Sequence, residues 1–137
     1  MSRILAIDYG GKRTGLAVTD PLQIIATGLA TIESKELIPY LKKYFLSEPV
    51  ELVIIGLPKN WDESDTHGTP LVEKAIKTLT KEFPSMPLKT VDERYTSKMA
   101  KDAMLEMGMK KKDRRIKGNV DIIAATIMLQ EYLQNNL

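Results

Sequence analysis

Residues 4–20 read ILAIDYGGKRTGLAVTD. The opening Ile4-Leu5-Ala6-Ile7 run is apolar without alternation, the pattern of a strand buried on both faces. It predicts a strand over Arg3 to Asp8. Tyr9-Gly10-Gly11-Lys12 is turn material, and Thr14 to Thr19 predicts a returning strand. Ile24 to Ile32 extends the pattern to a third strand. Short links between the three imply an antiparallel meander.

Downstream the pattern changes to alternating helices and strands. Ser34 is placed to cap a helix with Leu37, Ile38, Leu41, Tyr44 and Phe45 on one face, and Pro39 delays its start. Leu52 to Gly56 predicts a short, fully apolar, central strand. Thr69 and Pro70 form a cap and first-turn pair ahead of Val72, Ala75, Ile76, Leu79 and Phe83 at helical spacing. Leu88 to Val91 is the fifth strand. Thr96 opens a third helix that Gly108 ends, and a last helix runs from about Asn119 to Asn135 with Val120, Ile123, Ala124, Ile127 and Met128 inward. The order βββαβαβαα describes an α/β fold. A meander feeds right-handed βαβ crossovers, so three antiparallel and two parallel strands form a mixed five-stranded sheet flanked by helices. Residues 1–137 are expected to form a single domain, because no repeat or linker divides them.

Composition narrows the chemistry. The 137 residues are 43% hydrophobic and 28% charged, enough for a core and a hydrated surface. The absence of cysteine excludes disulfides, thiolate zinc sites and cysteine nucleophiles. With no membrane-length apolar run and no signal peptide, the expected compartment is the cytoplasm. The net charge of +2 is unevenly placed. Lys110 to Lys117 (KKKDRRIK) holds six bases and one acid, leaving 14 bases and 17 acids elsewhere. Such a window is either a solvated loop or a contact for a phosphate backbone.

Carboxylates fall at informative places. Asp8 ends a strand, Asp92 and Glu93 follow the fifth strand, and Asp121 lies in the first turn of the last helix. Taken singly, each has a plain structural role as a turn former or a dipole-complementing acid. Taken together they are more telling, because ligands collect outside the carboxyl ends of strands in α/β sheets. Ala124 and Ala125 are small enough to let the last helix bring Asp121 to the same edge. Converging carboxylates repel, and a hard divalent cation such as Mg²⁺ or Mn²⁺ relieves that repulsion through oxygen ligands. Two such ions activate water and stabilise a leaving phosphodiester oxygen. The single histidine, His67, lies in a polar loop and reads as a surface residue.

The motifs ILAIDYGGKRTGLAVTD, VIIGLP, VDERYTS and NVDIIAATIMLQEYL, in this order over nearly the whole chain, resemble the YqgF (RuvX) family. That family is described as Holliday junction resolvases and as nucleases maturing the 5′ end of pre-16S rRNA. The resemblance implies an RNase H-like fold and metal-dependent phosphodiester hydrolysis. It implies Asp8, Glu93 and Asp121 as catalytic, metal-binding acids, and Mg²⁺ or Mn²⁺, as two ions bound with substrate, as the cofactor. Lys12, Arg13 and Arg94 are expected near the scissile phosphate, and Lys111, Lys112, Arg114 and Arg115 along the backbone. The expected partner is structured RNA or branched DNA, and the expected assembly a monomer or weak homodimer. One departure stands out: residues 59–70 read KNWDESDTHGTP, with Glu63 where the family has the glycine of Asp-Gly-Ser. Trp61 in this loop either packs as a lid or stacks on a base.

Three rival readings remain at this level. A DNA resolvase shares the chemistry and needs a symmetric dimer to cut two strands. A non-catalytic nucleic-acid-binding assembly factor needs the basic surface without the acids. A sugar kinase or actin-like phosphotransferase uses a similar Asp-containing hairpin but two such domains. If the basic window contacts phosphates, changing Lys111, Lys112, Arg114 and Arg115 to Ala flattens the dependence of log affinity on log salt by roughly three to four units. Thermal stability stays nearly constant, since exposed charges contribute little. Salt-titrated RNA and DNA binding checks this, and an unchanged slope would reduce the window to a solvated connector.

Overall fold

The structure, a computed structural model, describes residues 2–57, 68–92 and 117–135. Its elements are β1 (Arg3–Tyr9), β2 (Arg13–Thr19), β3 (Ala26–Glu33), a 3₁₀ turn (Ser34–Glu36), α1 (Leu37–Ser47), β4 (Val50–Leu57), α2 (Thr69–Glu82), β5 (Leu88–Asp92) and α3 (Lys117–Asn135). The five strands form one sheet in the order β3-β2-β1-β4-β5. β1 pairs antiparallel with β2 and parallel with β4, β2 antiparallel with β3, and β4 parallel with β5. The expected mixed sheet of a meander and two parallel strands is the observed one. The third helix expected over residues 96–108 lies outside the described residues.

Strand alternation divides the core into two layers. Leu5 and Ile7 of β1 join Leu16, Val53 and Ile55 under Leu37 and Leu41 of α1 and Val72, Ala75 and Leu79 of α2. Ile4, Ala6, Ala17 and Ile54 point the other way and pack with Ala125, Met128, Leu129 and Leu133 of α3. The residues between Ile4 and Ile7 are 5% exposed or less, as the unalternating apolar run requires.

Small residues set how near α3 comes to the sheet. A methyl group built on Gly15 would stand 2.1 Å from the Asp121 carbonyl oxygen, and one on Gly28 would stand 2.4 Å from Ile122 Cγ2. The helix therefore rests on bare backbone at two points. This geometry explains why the buried stripe of α3 is Ala124, Ala125, Met128, Leu129 and Leu133. Of the positions expected inward, Ala124 and Met128 are buried, whereas Val120, Ile123 and Ile127 are only half-buried. Close approach selects the alanine pair and rotates the bulkier side chains to the flanks.

Three local expectations are corrected. Ser34 does not cap α1: its hydroxyl lies 2.8 Å from that of Thr14 and donates to the Gly10 carbonyl, while its N–H donates to Lys12 O at 2.9 Å. The buried serine pins the β1–β2 turn to the start of α1. Pro39 falls in the first turn, where its missing N–H costs nothing. Thr69 is a buried first residue of α2, and Gly68 occupies the cap position. β3 starts at Ala26, not Ile24, because Asp20 organises the preceding turn. Its carboxylate accepts N–H bonds from Leu22, Ile24 and Ile25 at 3.2, 2.7 and 2.8 Å. Those backbone bonds, Ile25's foremost, hold its pKa below the usual aspartate value, and Gln23 takes a left-handed φ of 59° at the corner.

Gly15→Ala is expected to destabilise the protein by about 2–3 kcal/mol, the upper range for overpacking, because its clash is with backbone. Gly28→Ala meets a side-chain methyl that can shift, and its loss should be about half as large. Urea unfolding of both variants checks the ranking, and a Gly15→Ala protein as stable as the parent would overturn it.

Candidate active site

The site begins where β1 ends. Asp8 pairs across the sheet with Gly15, and directly opposed residues of an antiparallel pair project to the same face about 5 Å apart. That face carries α3, since the Asp121 Cβ lies 3.0 Å from the position a Gly15 Cβ would take. Asp8 from the sheet and Asp121 from the helix thus flank one bare glycine, both half-buried. Gly15 was missed as a site residue in the sequence. Its signal was present, since glycine inside a strand marks close backbone approach.

Arg13 completes the group. It lies two residues before Gly15 on the same face of β2, and its Nε donates to Asp121 Oδ2 at 3.1 Å. Arg13 was expected to meet a phosphate; here a carboxylate fills that place. The guanidinium supplies positive charge where two acids approach, which is the electrostatic demand that a bound cation also meets. Lys12 is exposed at the tip of the same turn, and its carbonyl is held by the Ser34 N–H.

The parallel half of the sheet leads toward the third acid. Ile7 pairs with Ile55, so Asp8 and Gly56 come level one residue later, and Gly56 pairs with Val91. Two strand spacings, about 10 Å, separate the Asp8 row from β5 at this height. Val91 packs on the α3 side of the sheet, and Lys89 reaches Tyr132 of α3 at 3.4 Å. β5 ends at Asp92, at the edge that holds Asp8. Glu93, Arg94, Trp61, His67, Lys111, Lys112, Arg114 and Arg115 lie outside the described residues, as do the side chains of Asp92 and Lys117. Lys117, expected in the basic loop, is the first residue of α3. Among the described residues, no group of three His, Cys, Asp or Glu side chains stands close enough to hold an ion. Asp8 and Asp121 do fit a hard divalent cation by donor type, oxygen only and on one face, although Arg13 would have to yield Asp121 to it.

Residues 2–135 match the RuvX family, described as Holliday junction resolvase. The chain belongs to the RuvX family. A relative from Christiangramia forsetii is 51% identical over 133 residues, covering 97% of this chain and 98% of its own. A second, from Flavobacterium psychrophilum, is 51% identical over 137 residues and covers both chains fully. Both are named "Putative pre-16S rRNA nuclease". In structure, the chain resembles T. thermophilus RuvC in complex with a Holliday junction substrate, at TM-score 0.59 and 14% identity over 98% of this chain and 95% of that one. This likeness establishes the RNase H-like fold inferred from the motifs.

Because the Arg13–Asp121 pair is partly exposed, Arg13→Ala should cost no more than about 1 kcal/mol of stability. The loss should shrink or vanish when Asp121 is already Asn, as a double-mutant cycle requires for a direct pair. Additive losses in chemical denaturation would show that the two side chains do not interact in solution.

Proposed function

We propose that this RuvX-family member is a metal-dependent nuclease acting in 5′-end processing of pre-16S rRNA, with Asp8, Glu93 and Asp121 as its catalytic acids. Family membership makes it a nuclease, a hydrolase of phosphodiester bonds. The finer reading is carried by one observation, the meeting of Asp8 and Asp121 across Gly15 at the carboxyl end of β1. The DER motif of residues 92–94, shared with the family, supports Glu93 as the third acid. The names of the relatives favour ribosomal RNA over a DNA junction as substrate.

Bound at these acids, Mg²⁺ or Mn²⁺ supplies an activated water and charge stabilisation at the leaving oxygen. The chain's own residues do the rest. Asp8, on a strand buried at its centre, and Asp121, on a helix seated against bare backbone, are held by rigid elements, as precise placement requires. Arg13 exchanges its carboxylate for a phosphate oxygen when the strand arrives, so that its charge follows the substrate. Lys12 at the exposed tip meets the adjoining backbone, and Arg94 together with Lys111, Lys112, Arg114 and Arg115 extends that contact. These contacts position the strand without reading its sequence.

Replacing Asp8 or Asp121 by Asn, or Glu93 by Gln, should lower cleavage at least about a hundredfold, since each acid supports several kcal/mol of transition-state stabilisation. The fold should survive each change, and Asp92→Asn should remain active as the control. Cleavage of precursor rRNA, single-stranded and branched DNA with Mn²⁺ reads the outcome. Full activity in Asp121→Asn removes that residue from the site, and preference for branched DNA by a dimer would favour the resolvase reading.

A further inference from the structure

Consecutive residues of a strand face opposite sides of the sheet. Asp8 faces α3, and Tyr9 therefore faces α1 and α2, where it lines a groove of about 400 Å³. The groove lies between the β1–β2 turn, the 3₁₀ turn and α2, and its walls include Ser34, Lys35, Leu71, Lys74 and Thr78. It opens on the same end of the sheet as Asp8, one residue away along β1 and on the other side of it. None of the described lining residues is acidic. Nothing in the catalytic reading uses this groove.

The lining sorts by chemistry. Leu71 and the Tyr9 ring offer apolar and aromatic surface, and α2 contributes the buried Ala75 and Leu79 beneath. Lys35 and Lys74 are exposed on opposite walls, one on the 3₁₀ turn and one on α2. Lys35 pairs with Glu33 at 3.4 Å, but both side chains are largely exposed, at 76% and 66%. Such a pair is worth little and is readily exchanged for a phosphate. Ser34 is engaged with Thr14 and Gly10, so it stiffens the wall instead of binding. Thr78 donates to the Lys74 carbonyl at 3.2 Å, and its oxygen keeps acceptor capacity. An aromatic surface between two cations, with no acidic residue among its described lining, is the pattern by which proteins hold single-stranded nucleic acid.

We propose that this groove binds a nucleotide of the substrate strand neighbouring the one cleaved, with its base against Tyr9 and its phosphate between Lys35 and Lys74. The proposal rests on the nuclease reading above and adds a second contact surface on the opposite side of the sheet. The strand then crosses the carboxyl edge of β1 over the β1–β2 turn, whose shape is pinned by Ser34. An unpaired strand makes that crossing, whereas a continuous duplex cannot wrap a single sheet edge. The site accordingly favours substrates with a single-stranded segment beside the cut.

The test uses the full chain carrying Asp8→Asn, so that binding is read without cleavage. Anisotropy of a fluorescein-labelled single-stranded eight-nucleotide RNA is measured against salt. Adding Lys35→Gln and Lys74→Gln should weaken binding about tenfold and flatten the log–log salt slope by roughly 1.4 units, at about 0.7 per phosphate contact on single strands. Tyr9→Leu should weaken binding with the slope unchanged, and Tyr9→Phe should restore it; thermal melting confirms that each variant folds. Unchanged affinity and slope in the double-lysine variant overturn the groove, whatever the wild-type chain does with Mn²⁺. Equal displacement by a polyglutamate peptide would also overturn it, by making the groove a general polyanion surface. If the lysine changes weaken binding but the wild-type chain cleaves nothing, the nuclease reading falls and the groove stands as a nucleic-acid site.

Discussion

The contact on which the rest depends is the seating of α3 on the bare backbone of Gly15 and Gly28. A helix normally stands off a sheet by the depth of its side chains. Here two glycines below and the Ala124–Ala125 pair above remove that layer. The gain in packing is modest, because small side chains bury little apolar area each. The gain in geometry is large, since Asp121 is brought over β2 beside Asp8. Two carboxylates thereby share one face, and Arg13 pairs with one of them, Asp121, at 3.1 Å.

The opposite face of the sheet serves as the rigid support. The cluster of Leu5, Ile7, Leu16, Leu41, Val53, Ile55 and Val72 buries most of the large side chains, and the stacked Tyr40–Tyr44 and edge-on Phe45–Phe83 pairs continue it outward. Two polar residues then discipline the hairpin ends. Ser34 ties the β1–β2 turn to α1, and Asp20 folds the β2–β3 turn back through three backbone bonds. With the strands locked by apolar packing and both turns by hydrogen bonds, Asp8 and Arg13 project from a frame with little freedom. Precise placement of charged groups generally needs such support.

The likeness to RuvC at 14% identity is a likeness of scaffold. One scaffold hosts many chemistries, so activity has to be argued from the site grafted on it. The carboxyl ends of β1, β4 and β5 form the common edge of this fold, and Asp8 and Asp92 both occur there. An actin-like phosphotransferase would use a similar hairpin. The RuvX match runs over residues 2–135, nearly the length of the chain, and supports the nuclease reading instead.

The five strands and their mixed antiparallel and parallel character were legible in the residues themselves, because burial on two faces leaves unalternating apolar runs at Ile4–Ile7 and Leu52–Ile55. Asp8 and Asp92 were legible for the same reason: an acid directly after an apolar run marks where the core stops. Asp121, expected in the first turn of the last helix, stands in its second turn because the helix starts at Lys117. Ser34 is no helix cap: short-range pattern cannot distinguish a hydroxyl that bonds its own helix from one that bonds a distant turn, and Thr69 falls one residue inside its helix. Ile24 and Ile25 look like strand residues until Asp20 captures their N–H groups. The inward face of α3 was shifted because periodicity ranks side chains by hydrophobicity, whereas the sheet beneath selects them by size. Sequence alone thus determined the five strands, the helices α1, α2 and α3 to within a few residues, and where the acids fall along the chain. Only the tertiary structure decided that Asp8, Arg13 and Asp121 meet, because their approach depends on a side chain that Gly15 does not have.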